Sequence, residues 1–149
     1  MGTSEEKDWY FVAVKLFLRD GNKLLITHDI FGSWDLPGGR IKKDEFSKQL
    51  ESIIDRKVEE ELGEGVQYEL GEPKVFFRVE RDEQGLGGQK VRIFAVGYDA
   101  KYLGGEVRLG GHHDKMEWVE LDSFNPEKYF TGGWLTGVKD YLYKNRAKV

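Results

Sequence analysis

The stretch Trp34–Gly63 reads WDLPGGRIKKDEFSKQLESIIDRKVEEELG. Its opening is a loop: Pro37 fixes the chain, and Gly38 and Gly39 permit backbone angles that other residues avoid. From about Phe46 to Leu62 the spacing of Leu50, Ile53, Ile54, Val58 and Leu62 predicts a helix, and Gly63 is a natural stop. This helix ends in Glu59, Glu60 and Glu61. A helix C-terminus carries partial negative charge, so each carboxylate there costs from a few tenths to about 1 kcal/mol unless a cation sits nearby. At about 100° per residue the inward stripe of Leu50, Ile53 and Ile54 runs on into Lys57, Glu60 and Glu61, with Glu61 in nearly the direction of Leu50 and Ile54. Acids on a buried stripe would cost several kcal/mol each. A divalent cation removes that difficulty, and Mg²⁺ takes one or two carboxylates plus waters and phosphate oxygens. The plainer reading is a solvated acidic patch at a frayed helix end, with Arg56 and Lys57 as surface partners.

Upstream, WYFVAVKLFLRDGNKLLITHD predicts two strands around a hairpin turn at Asp20-Gly21, with Tyr10, Val12, Val14, Leu16 and Leu18 alternating against Phe11, Ala13, Lys15, Phe17 and Arg19. Downstream, VQYEL, KVFFRVE and KVRIFAVGYDAKY read as strands, the last two separated by the polar loop RDEQGLGGQ. GGEVRLGGHHDKMEWVEL predicts a turn, a short strand, a Gly/His loop and another strand. Pro126 ends the next loop, and GWLTGVKDYLYKNRAK closes the chain as a helix with Trp134, Val138, Tyr141 and Leu142 on one face. Strands on both sides of a central helix, with a second helix last, predict an α/β or α+β sandwich around a mixed sheet.

A chain of 149 residues suits a single domain, here 1–149, with one core. The 23 basic and 27 acidic residues leave a net charge of −4, which gives no strong nucleic-acid signal and no attraction to anionic membranes. The absence of cysteine excludes disulfides, thiolate nucleophiles and cysteine-ligated zinc, and it fits a reducing compartment. Three histidines are few for a structural zinc site. The first residues, MGTSEEKD, are acidic and lack the apolar stretch of a secretory signal, and Glu6 stands where a myristoylation pattern wants Ser or Thr. No apolar run approaches the roughly 18 residues of a membrane helix. The expectation is a soluble, cytoplasmic protein.

WDLPGGRIKKDEF followed by DRKVEEELG resembles the Nudix hydrolases, which cleave nucleoside diphosphates linked to another moiety. Their signature is G-x5-E-x7-R-E-U-x-E-E-x-G-U, with U bulky and aliphatic, commonly preceded by W-x-L-P-G. Trp34, Leu36, Pro37, Gly38 and Gly39 match that entry; Glu45 matches the first glutamate, Arg56 the arginine, Val58 the aliphatic position, and Glu60 and Glu61 the acidic pair. The resemblance covers about Tyr10 to Asn145 and implies an α/β/α sandwich around a mixed sheet. Three departures stand out. Ten residues rather than seven separate Glu45 from Arg56, Lys57 replaces a glutamate that in the family ligates metal, and Glu64 replaces the last aliphatic residue.

The resemblance implies hydrolysis of a diphosphate linkage in a small nucleotide-type substrate with Mg²⁺ or Mn²⁺. The ion would be held by Glu60, Glu61 and the Gly39 carbonyl, with Glu64 a possible substitute for the lost carboxylate, and Arg56 would steady the acids. Such an ion neutralises phosphate oxygens and activates an in-line water. Gly38, Gly39, Lys57 and Arg78 are the candidate contacts to substrate. Lys57 has two readings. The favoured one is an internal salt bridge to Glu60 or Glu61, which weakens metal binding; the other is a point charge on a substrate phosphate. His112, His113 and Asp114 occupy the late loop where many family members keep a base. Trp34 reads as a packing residue before a stacking platform, and Arg78, Arg81 and Arg92 as a solvated strand face before phosphate contacts. Two other functions compete with hydrolysis: a domain that binds such ligands with little turnover because of Lys57, and an interaction module with neither ligand nor metal. Oligomeric state and substrate identity are not legible.

Overall fold

The computed structural model describes residues 4–83 and 89–145. Among the described residues, seven strands and two helices follow one another as β1 (Phe11–Asp20), β2 (Lys23–Asp29), β3 (Trp34–Asp35), β4 (Gly38–Arg40), α1 (Leu50–Leu62), β5 (Gln67–Asp82), β6 (Lys90–Gly104), β7 (His113–Glu120) and α2 (Gly132–Asn145). The sheet runs β3-β2-β1-β6-β5, with β4 also on β1 and β7 also on β2. β1 and β6 are parallel and the other pairs antiparallel, so the sheet is mixed as expected.

Each face of this sheet carries one helix. Ala13 and Phe17 of β1 pack with Val138, Tyr141 and Leu142 of α2. Val14, Leu16 and Leu18 pack with Ile53, Ile54, Val58 and Leu62 of α1. Alternation along β1 therefore sorts residues between two cores, and all six residues from Ala13 to Leu18 are buried. Tyr141 is fully buried, stacks on Phe17 at 4.1 Å, and donates its hydroxyl to Asp99 Oδ1 at 2.6 Å. Tyr141→Phe keeps the ring and removes that donor. We expect a loss of about 1 to 3 kcal/mol in urea denaturation, the usual range for a hydrogen bond to a carboxylate. An unchanged midpoint would refute this assignment.

Several boundaries differ from the sequence reading. The first hairpin pairs Asp20 with Lys23, so its two loop residues are Gly21 and Asn22, one position later than expected. α1 begins at Leu50 rather than Phe46, because Lys43–Glu45 forms a separate 3₁₀ turn. Pro126–Lys128 forms another such turn. The two strands expected over 66–70 and 74–80 are one, β5, with irregular pairing at Pro73, which has no N–H to donate. Of the loop predicted over 81–89, Arg81 and Asp82 belong to β5, and residues 84–88 lie outside the described residues. α2 is described to Asn145, and the last residues of the predicted helix lie outside the described residues.

The short strand expected before the Gly/His loop is not formed. Its N–H groups are spent elsewhere: Arg108 donates to the Leu62 carbonyl at 2.8 Å and Gly110 to the Glu61 carbonyl at 3.1 Å. A helix leaves its last carbonyls without internal partners, and this segment supplies them. The late loop is thereby tied to the acidic end of α1.

Candidate active site

The Pro-Gly-Gly turn is pinned to β1 on both sides. Leu16 N–H donates to Pro37 O at 2.8 Å, and Ile41 N–H to Val12 O at 2.8 Å. Gly38 has φ +130, and a methyl group there would lie 2.0 Å from the Val14 carbonyl oxygen, so the turn requires glycine. Beneath it Lys15, only 5% exposed, donates to Asp35 Oδ1 at 3.0 Å, Asp35 Oδ2 at 3.1 Å and Leu36 O at 3.2 Å. Its Nζ also lies 4.9 Å from the Trp134 ring centre. A buried charge requires a partner and hydrogen bonds, and Lys15 has both. The sequence reading passes over Lys15 and Asp35. The available signal was a lysine between Ala13 and Phe17 on an inward row of β1.

At the end of α1 the two acids part company. Glu61 is 8% exposed, whereas the Glu60 side chain is 48% exposed. Adjacent helical residues differ by about 100° in direction, so one stripe cannot bury both. Burial pushes the Glu61 carboxyl up to about 7; the Lys15 charge opposes this, Asp35 adds to it, and the Gly38 N–H favours the anion. Burial also opposes the Glu60 charge. There the Arg56 hydrogen bond and the Lys57 and Arg56 charges prevail and hold the carboxyl below its ordinary range.

Arg56 joins two of the motif's three acids, Glu45 and Glu60. Its Nε and Nη2 donate to Glu45 at 2.8 and 2.7 Å, and its Nη1 to Glu60 Oε1 at 2.9 Å. Glu45 also accepts the Lys42 N–H at 2.9 Å. The extra length between Glu45 and Arg56 leaves this pairing intact, because residues 46–49 are taken up between the 3₁₀ turn and the start of α1. The Arg56 hydrogen bond holds the Glu45 carboxyl below its usual range despite burial.

Lys57 Nζ lies 3.6 Å from Glu60 Oε2, so its internal salt bridge is to Glu60. Glu64 is exposed in the turn beyond Gly63, which caps α1 with φ 92. His113 is brought to the site, with Nε2 at 3.6 Å from Glu61 Oε1 and its side chain 8% exposed. Burial lowers the His113 pKa, which favours the neutral ring. Asp114 Oδ1 is instead 2.7 Å from His28 Nδ1, and His112 is exposed.

A cleft of about 710 Å³ lies beside the turn, with Phe31, Trp34, Tyr129, Trp134, Asp35 and Arg81 among its walls. Trp34 packs edge-on against Tyr129 at 5.2 Å and His28 at 5.0 Å while also facing the cleft. Arg81 lines this cleft; Arg78 lies exposed on β5 and lines a different, shallower surface. Arg92 forms a surface ion-pair network with Asp8 and Glu80.

Among the described residues no three His, Asp or Glu side chains form a ready metal cluster. The donor set nevertheless fits one hard divalent ion, which needs only one or two carboxylates if waters and phosphate complete its shell. Glu61 is a buried acid whose charge burial disfavours, and a cationic group already lies in the Gly39 cradle. A methyl group on Gly39 would sit 2.8 Å from Lys57 Nζ.

The model of the NUDIX domain matches residues 9–134. Among solved structures, the MutT protein from Methanosarcina mazei Go1 superposes with a TM-score of 0.76 at 20% identity, covering 97% of this chain and 100% of that one. An ADP-ribose pyrophosphatase from Streptococcus suis gives 0.64 at 16%, covering 93% and 94%. The dihydroneopterin triphosphate pyrophosphohydrolase of E. coli gives 0.63 at 14%, covering 92% and 99%. At these identities the likeness establishes the α/β sandwich fold. No curated protein sequence matches. No helix among the described residues is long and apolar enough to cross a membrane.

Proposed function

This chain belongs to the Nudix family of hydrolases, and on that premise we propose that it cleaves a diphosphate linkage in a small nucleotide-type substrate with one divalent ion, Mg²⁺ or Mn²⁺. The observation that carries this reading is the buried Glu61 carboxylate set against the Gly38 N–H, on the turn that follows Trp34 and Asp35 of the aromatic cleft. A buried acid without a full complement of partners is costly, and such groups cluster where chemistry is done.

Glu61, the outer oxygen of Glu60 and the Gly39 carbonyl are the donors for the ion. Bound there, it supplies charge neutralisation on the diphosphate and a water of lowered pKa. Arg56 holds Glu60 in place from the rigid Glu45 anchor, so the carboxylate does not need to be reoriented during the reaction. Neutral His113 lies against Glu61 and excludes solvent from its inner side. Trp34, Tyr129 and Trp134 offer apolar edges and faces to a flat ring, while Arg81 offers a cation to the polar part of the substrate. Arg78 takes no part in this arrangement, and Glu64 stays in solvent.

The test is release of phosphate or mononucleotide from a panel of nucleoside triphosphates and nucleoside-diphosphate derivatives, with MgCl₂ or MnCl₂ and with EDTA. Metal-dependent turnover of at least one class is expected. Failure of the whole panel with both ions, by protein that is folded by circular dichroism, would overturn the proposal. Turnover confined to a Lys57→Glu variant would instead favour a domain that binds ligand without efficient hydrolysis.

A further inference from the structure

We propose that Lys57 is a tethered cation that holds the divalent-ion position of the resting site and gives it up to an ion arriving with the diphosphate. The inference rests on the reading above, in which an ion works at Glu60, Glu61 and Gly39. Three observations carry it. The lysine chain lies directly over Gly39, where an added methyl group would be 2.6 Å from Cε and 2.8 Å from Nζ. The ammonium faces Glu60 Oε2, the oxygen that Arg56 leaves unused while it binds Oε1. The Lys57 side chain is only 20% exposed, so it is packed into the cradle and does not trail in solvent.

The groups that would hold the ion therefore already face a positive charge. Like charges a few ångströms apart repel strongly where water is partly excluded, so an ion and the ammonium cannot share the cradle. The lysine stem is long and flexible, and its compact ammonium can move to a new partner by rotation about side-chain bonds. A diphosphate brings anionic oxygens that satisfy both cations at once. An ion chelated by substrate exchanges readily with Lys57, whereas a free ion must expel the ammonium with no replacement anion. Weak affinity for free metal, and strong coupling between metal and diphosphate, follow from the lysine at this position.

Mn²⁺ titration followed by electron paramagnetic resonance tests this without any turnover. The proteins are the unmodified chain, Lys57→Met and Lys57→Gln, each at one fixed pH and with folding checked by thermal melting. For Mn²⁺ alone, both variants are expected to bind at least tenfold more tightly than the unmodified chain. Added methylenediphosphonate should tighten Mn²⁺ binding to the unmodified chain more than to either variant. Mn²⁺ affinities of both variants within twofold of the unmodified chain would overturn the exchange. If turnover of the panel substrates still requires metal in that case, only the tethered cation fails and the hydrolase reading stands. If no protein binds Mn²⁺ and turnover ignores EDTA, the single-ion site itself is wrong.

Discussion

Glu61→Gln is expected to lower kcat/KM about a thousandfold, about 4 kcal/mol of transition-state stabilisation, while making the metal-free protein more stable at alkaline pH. The activity loss follows from removing the one buried carboxylate that meets the Pro-Gly-Gly turn. The stability gain follows from linkage. Burial raises the folded-state pKa of Glu61 to about 7 from an ordinary 4.5. Below about pH 4.5 both folded and unfolded chains carry the proton, and burial of this group costs little. As pH rises toward 7 the unfolded chain releases its proton first, so folding loses stability, by about 3 kcal/mol once both states are ionised. Glutamine stays neutral throughout. In EDTA, urea denaturation of the two proteins should therefore coincide near pH 4.5 and separate in favour of Glu61→Gln at pH 8. Other titrating groups are common to both and cancel in the difference. A variant that retains activity, or one that is less stable at pH 8, would place Glu61 among structural residues.

The second large effect concerns Arg56. Arg56→Met removes two of the three donors to Glu45, whose side chain is 2% exposed, leaving only the Lys42 N–H, and releases Glu60 as well. Breaking a buried pair by deleting one partner leaves an uncompensated charge and typically costs about 3 to 5 kcal/mol. That is a large part of the roughly 5 to 15 kcal/mol that holds a domain together. Equilibrium urea denaturation of Arg56→Met, Glu45→Met and the double variant measures the coupling. The double variant should recover much of the loss, because two apolar side chains of similar length replace the pair. The pair also has a pH signature: Arg56 depresses the Glu45 pKa, so its contribution is present at neutral pH and disappears as pH falls through the folded-state value. A destabilisation below about 1 kcal/mol would mean that Glu45 finds water or another donor, and that the pair does not anchor α1.

These two residues also mark how far the linear chain could be read. The helix ending at Leu62 and the hairpin of β1 and β2 are legible because local periodicity and turn chemistry act over a few residues; the loop read over 31–40 instead holds β3 and β4 on either side of Pro37, because β2 and β1 supply their pairing partners. The Glu60, Glu61 and Arg56 constellation is legible because a helix converts spacing into direction. Its division into one buried and one exposed acid was not read there: Glu61 projects with Leu50 and Ile54, whereas Glu60 lies about 100° away at the edge of the stripe, where the neighbouring surface decides. Arg56 reaching Glu45 across an enlarged gap depends on how residues 46–49 are folded away. The merging of two predicted strands into β5 and the loss of the short strand near Arg108 depend on which hydrogen-bond partner lies closest in space.

By itself, the order of residues determined the mixed α/β architecture, the glycine turn and the acidic helix end, because each is specified by steric and periodic constraints within a segment. Only the tertiary structure decided that Lys15 and Asp35 lie beneath the turn, that His113 rather than His112 or Asp114 meets Glu61, that Arg81 rather than Arg78 lines the cleft, and that Lys57 fills the Gly39 cradle. Those placements join residues far apart in the chain, and side-chain charge and burial are fixed by the neighbours that packing brings together.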